Sequence, residues 1–95
     1  MRMENLSVRF STNIDFYRGR EFPRSLPFRP QVGDRVPFVG QQNDPIFERY
    51  PILVITSVEY RIDGRGRFDC FDCELWFDKN LHSDIRCKVL NHERL

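Results

Sequence analysis

Alanine is missing from all 95 residues, and lysine is nearly so, with only Lys79 and Lys88 beside thirteen arginines. Alanine is the strongest helix former, so its absence argues against a helical bundle. There is no net charge to speak of: fifteen basic and fourteen acidic residues leave +1. A chain-wide electrostatic attraction to nucleic acid is therefore excluded. No apolar run reaches the length of a signal sequence or a membrane span, so no membrane partner is expected. Cysteine is scarce and odd in number, at three. A small secreted disulfide scaffold would need an even set, so the expected location is the cytoplasm.

What is present is aromatic. Nine Phe, three Tyr and one Trp make 14% of the chain, too much apolar payload for a disordered tail. The length suits one domain over 1–95, with a thin core.

The polarity pattern is that of strands. Leu6, Val8, Phe10, Thr12, Ile14 and Phe16 alternate with polar residues, which predicts a strand over 6–16 with a bend near Thr12. Pro23, Pro27 and Pro30 then exclude helix and central strand. Arg18, Arg20, Arg24 and Arg29 stand among Tyr17, Phe22 and Phe28 there, so 17–31 reads as an arginine-rich arm or loop crossing the domain. Residues 51–62 form the strongest strand signal. Ile52, Val54, Thr56, Val58, Tyr60 and Ile62 share one face, Leu53, Ile55, Ser57, Glu59 and Arg61 the other, and the first half is apolar on both. Asp63-Gly64-Arg65-Gly66-Arg67 predicts a hairpin loop. The return strand, 68–78, puts Phe71, Cys73, Leu75 and Phe77 on one face and Cys70, Asp72, Glu74, Trp76 and Asp78 on the other. Residues 80–95 fit a short helix, with Leu81, Ile85 and Val89 as its stripe and Ser83 as its cap. They fit a strand over Ile85–Leu90 almost equally.

Val32-Gly33-Asp34-Arg35-Val36, followed by a long Ile/Val strand and a tight hairpin, resembles the small SH3-like β-barrels over residues 31–78. The expected fold is mainly β. It is an SH3-like barrel, alternatively an OB-like one, or a strongly twisted sheet of about four to six antiparallel strands. Members of the SH3-like class bind peptides, nucleic acid or other subunits, and the fold does not choose between them.

Three constellations could carry function. Trp76 shares its face with Asp72, Glu74 and Asp78, an outward tryptophan among carboxylates, which suits a protein-binding surface. The arm at 18–29 has net +3 and the strand at 69–78 net −4, so the arm could cover Trp76, dock on another copy, or leave that face to a basic partner. Arg18-Gly19-Arg20 and Arg65-Gly66-Arg67, with Tyr17 and Phe68, give the alternative of a nucleic-acid surface that grips phosphate and stacks bases. Cys70 and Cys73, with His82, Cys87 and His92, are zinc-type ligands, although an offset of three on a strand puts the first two on opposite faces. No phosphate loop or nucleophile elbow is present. The sequence therefore predicts a non-enzymatic binding or adaptor module without a cofactor or small-molecule substrate. Its partner is a protein or a second copy of itself; the alternatives are nucleic-acid binding and a small zinc-stabilised domain.

Overall fold

The computed structural model describes residues 5–45 and 50–92. Its elements, in chain order, are β1 (Leu6–Thr12), a helical turn α1 (Asp15–Arg18), β2 (Ser25–Leu26) and β3 (Arg35–Val36). After a 3₁₀ turn at Gln41–Asn43 come β4 (Leu53–Ile62), β5 (Phe68–Trp76) and α2 (Ser83–His92). The strands form one five-stranded sheet in the order β2-β1-β5-β4-β3, curled into a half-barrel. The fold is mainly β, as the alternation predicts. The sheet is mixed rather than wholly antiparallel, because β1 runs parallel to β5, with Val8 opposite Phe71 and Thr12 opposite Leu75.

The first strand is shorter than its pattern. The Thr12 hydroxyl accepts the Ile14 amide, which turns the chain out of the sheet, and Asp15–Arg18 coils. Ile14 and Tyr17 thereby drop into the core, fully buried. The proline arm runs back along β1 and docks on its own chain: Val8 donates to the Arg24 carbonyl, and Ser25 and Leu26 pair with Ser7 and Leu6.

The β4–β5 hairpin is the spine of the sheet. Leu53, Val54 and Ile55 are all buried, so the expected burial of both faces at its start holds. The face assignment further along does not. Ile55 pairs with Leu75 and Ser57 with Glu74, leaving Thr56 as an extra residue, a β-bulge whose hydroxyl donates to the Glu74 carbonyl. One extra residue exchanges the faces beyond it. Val58, Tyr60 and Ile62 therefore continue the inner face of Leu53 and Ile55, whereas Val54 lies outside, opposite Trp76.

The segment 80–95 resolves as helix over its described part. Val89 is fully buried and Leu81 and Leu90 pack on the core. Ile85, expected in the stripe, is 39% exposed. The Ile85 and Arg86 amides reach the His82 carbonyl, which starts the helix one residue before the expected Ser83 cap. No described helix is long and apolar enough to cross a membrane.

Candidate functional site

Two stretches of the hairpin present themselves to solvent in different ways. The first is the outer face at its base. Trp76 is 40% exposed, stands across from Val54, and rests edge-on against Phe77. Beside it Ser11, Thr12, Asn13, Thr56 and Glu74 line a shallow groove of about 220 Å³. Of the three carboxylates predicted to accompany Trp76, only Glu74 lines this groove. Asp72 is held by the Arg61 guanidinium at 3.2 Å. Asp78 accepts the Asn80 amide and lies 3.8 Å from Arg35. Those two are committed to the fold, and the groove is more nearly neutral than its sequence suggests.

The arginine arm does not cover Trp76. The Arg20 guanidinium lies over Phe38 and pairs with Asp44; that of Arg29 lies over Phe71. Both rings belong to the buried core, so the arm spends its cation–π contacts on the inner face and leaves the outer one open.

The second stretch is the free end of the hairpin. Residues 59–69 are exposed without interruption. Val8 is the first β1 residue paired with β5, at Phe71, and β3 reaches only Val54, so β4 and β5 run past both neighbours. Three large apolar side chains share the inner face of this arm. Tyr60 is 68% exposed, Ile62 59% and Phe68 47%. Tyr60 lies opposite Phe71 and Ile62 opposite Phe68, with a second bulge at Asp69, and the Phe68 and Phe71 rings stand 4.9 Å apart. The apolar core thus continues outward from buried Phe71 along one side of a projecting arm. Phe68 is among the residues expected at a binding surface; Tyr60 and Ile62 are not, since the alternation only places them on one face of the strand. The available signal was length: ten and nine residues in β4 and β5 exceed what the short flanking segments can cover.

The arm's loop is well defined. Asp63 donates its amide to the Arg67 carbonyl, accepts the Gly66 amide, and takes the Arg65 and Arg67 amides on its carboxylate. The left-handed residue is Gly66, at φ 79°, giving a three-residue turn of type I plus a glycine bulge rather than a two-residue Asp-Gly turn. Arg65 and Arg67 are exposed beside Phe68.

The predicted nucleic-acid set is divided by this geometry. Tyr17 is fully buried, its hydroxyl donating to the Pro51 carbonyl at 2.8 Å. Burial, and then Tyr50, push its phenol well above the usual range, and it cannot stack on a base. Arg18 pairs with Asp15. Arg18 and Arg20 follow the end of β1 that lies beside Leu75, whereas Arg65 and Arg67 precede Phe68. The two Arg-Gly-Arg tripeptides are separated by the length of β5, roughly 30 Å at strand rise, and do not form one surface.

No protein-family profile, curated protein or solved structure matches this chain.

The cysteines lie as the strand offset requires. Cys73 faces the core between Phe10 and Val58, whereas Cys70 is buried on the other side of β5 beside Ser7 and Arg9. Cys87 is exposed on α2. His82 is exposed, and the His92 side chain lies outside the described residues. Among the described residues no three His, Cys, Asp or Glu side chains converge. Burial first, then Asp72 and Cys70, push the Cys73 thiol up to about 11, which keeps it protonated at neutral pH. A protonated, enclosed thiol is a poor nucleophile.

Proposed function

We propose that this protein is a non-enzymatic binding module that engages a protein partner through its projecting hairpin arm. One observation carries the reading: Tyr60, Ile62 and Phe68 are largely exposed on a single face that continues the core. Large apolar groups contiguous on a projecting element are costly to leave in water and are what protein interfaces cover. Tyrosine and phenylalanine are also the side chains from which interface anchors are drawn. The groove beside Trp76 is a second, more polar contact surface on the opposite face.

The test is affinity capture from the native host with tagged protein, comparing the unaltered chain with a Tyr60→Ser/Phe68→Ser variant and a Trp76→Ala variant. Partners lost with the first variant and kept by the second support the arm as the docking element. Partners kept by the arm variant and lost with Trp76→Ala move the site to the groove. Retention by both variants overturns the reading.

A second reading has its own observation: Arg65 and Arg67 are exposed next to Phe68, and Arg29 covers Phe71 at the base of the same face. Arginine beside aromatic rings suits a single-stranded nucleic acid. It predicts binding of a labelled oligonucleotide that weakens steeply with salt and is lost in Arg65→Ser/Arg67→Ser. Absence of binding at low salt removes it.

A further inference from the structure

The outer edge of β4 is open over most of its length. β3 supplies partners for Leu53 and Val54, and Ile55 exchanges backbone hydrogen bonds with Gly33 and Asp34. From Ser57 to Ile62 no described residue pairs with that edge. Asp63 donates its amide across the hairpin to Arg67. Alternation along the strand then turns the backbone groups of Asp63, Arg61 and Glu59 toward β5, and those of Ile62, Tyr60 and Val58 toward the open side. Proteins usually guard such an edge with charged side chains, lysine above all, with proline, with a bulge or with an inward-pointing charge. The stretch Ser57-Val58-Glu59-Tyr60-Arg61-Ile62 has no lysine, proline or inward charge; the bulge at Thr56 precedes it, and its inner face is Val58, Tyr60 and Ile62.

Its two charges have opposite sign and sit symmetrically about Tyr60. In an antiparallel pairing of two such strands with the two-fold axis at Tyr60, Glu59 of each copy lies opposite Arg61 of the other. Val58 meets Ile62 twice, and the two Tyr60 rings meet at the axis. Opposite charges directly across an antiparallel pair stabilise it and like charges oppose it. Sliding the register by two residues one way sets Glu59 against Glu59. Sliding it the other way sets Arg61 against Arg61 and Glu59 against Asp63. One register is therefore selected by charge. Glu59 lies directly across from Asp72 and has no ion pair among the described residues, and Arg61 meets Asp72 through its Nε alone, which leaves its terminal guanidinium nitrogens for the Glu59 carboxylate of another copy.

We infer that a second copy of this chain is the occupant of the β4 edge, joined antiparallel about Tyr60 so that the two half-barrels share one continuous sheet. This rests on the reading of the hairpin as the docking arm and names its partner. Strand addition of this kind takes affinity from the main chain and selectivity from the side-chain pairs, and an isologous contact closes at two copies.

The test is sedimentation velocity on the full chain from low-micromolar to near-millimolar concentration. The unaltered protein shows a monomer–dimer equilibrium. Glu59→Arg leaves only cations at the two positions and Arg61→Glu only anions, and each weakens self-association about tenfold or more, since two favourable pairs become two repulsive ones. Mixing the two variants restores dimer as a heterodimer, which also shows that both are folded. A monomer at every concentration overturns the proposal, as does a dimer indifferent to either substitution or a mixture that fails to associate. A chain that stays monomeric yet loses a different captured protein with Tyr60→Ser/Phe68→Ser refutes self-pairing and leaves the docking arm standing.

Discussion

The two ends of the β4–β5 hairpin are built from the same strands with the same alternation, and they have opposite fates. At the base, Leu53, Ile55, Leu75 and Phe77 are almost wholly enclosed. At the tip, Tyr60, Ile62 and Phe68 occupy the same inner face and are about half or more exposed. The base has β1 on one side, β3 on the other, and Val89 of α2 in the same core. The tip has only its own partner strand. Apolar periodicity says which side of a strand is suited to burial. Whether burial happens depends on how far neighbouring segments extend.

Deleting apolar volume at each end should have very unequal costs. Ile55→Ala is expected to cost about 2–5 kcal/mol, because the site is closed on all sides and cannot collapse. Tyr60→Ala, which removes a larger side chain, is expected to change stability by less than about 0.5 kcal/mol. Urea unfolding of the two variants checks this. Equal losses would mean that the tip is packed in solution, as it would be in a dimer, so the measurement is made at low protein concentration.

The cysteines give a second probe, smaller in energy. Cys87 is exposed, Cys70 lies where the arm leaves the sheet, and Cys73 is locked between β1 and β4. Thiol labelling in native buffer should modify Cys87 at once, Cys70 at the rate at which the arm opens, and Cys73 only through global unfolding. The same thiol predicts an alkaline limb in the stability curve. The folded chain keeps the Cys73 proton up to about 11 whereas the unfolded chain releases it near 9.0, so stability falls as pH rises through that window and no cost exists below it. Cys73→Val should flatten the decline between about pH 9 and 10, read from urea midpoints. Identical declines in both proteins would place that thiol in contact with solvent.

Much of the fold was legible in the sequence because strand periodicity is local. Phe71, Cys73, Leu75 and Phe77 are inward and Trp76 outward, as their alternation requires. Three features were not legible. The bulge at Thr56 is invisible to a strict period of two, and it moved Val58, Tyr60 and Ile62 to the other face from the one expected. The parallel pairing of β1 with β5 joins segments far apart in sequence, and no local pattern encodes it. The charge balance of the Trp76 face also misled, since Asp72 and Asp78 are consumed by Arg61 and by the turn at Asn80. The candidate docking face was hidden for a different reason: exposure of Tyr60 and Ile62 is decided by where β1 and β3 stop, which the strand's own pattern does not carry.

The smallest effect distinguishes base from tip most cleanly. Gly33 and Gly66 both adopt left-handed backbone, at φ 97° and 79°, and a Cβ added to either meets nothing within 4 Å. Alanine at each should therefore impose a similar backbone strain of about 1 kcal/mol, with no clash to confuse it. Gly33 is stitched to the base, its amide bonded to the Ile55 carbonyl while Ile55 donates to Asp34. Strain there must be borne by the whole domain, and Gly33→Ala should lower Tm by about 4–8 °C. Gly66 lies in the loop of an arm that can open by itself. Once the strain exceeds the free energy of that opening, the arm frays and the rest of the sheet is spared. Gly66→Ala should then lower Tm by less than half as much, while speeding hydrogen exchange at Tyr60 and Phe68 and not at Ile55. Equal Tm shifts would show that the tip and the base unfold as one unit, and that the exposed arm is as firmly part of the domain as its buried root.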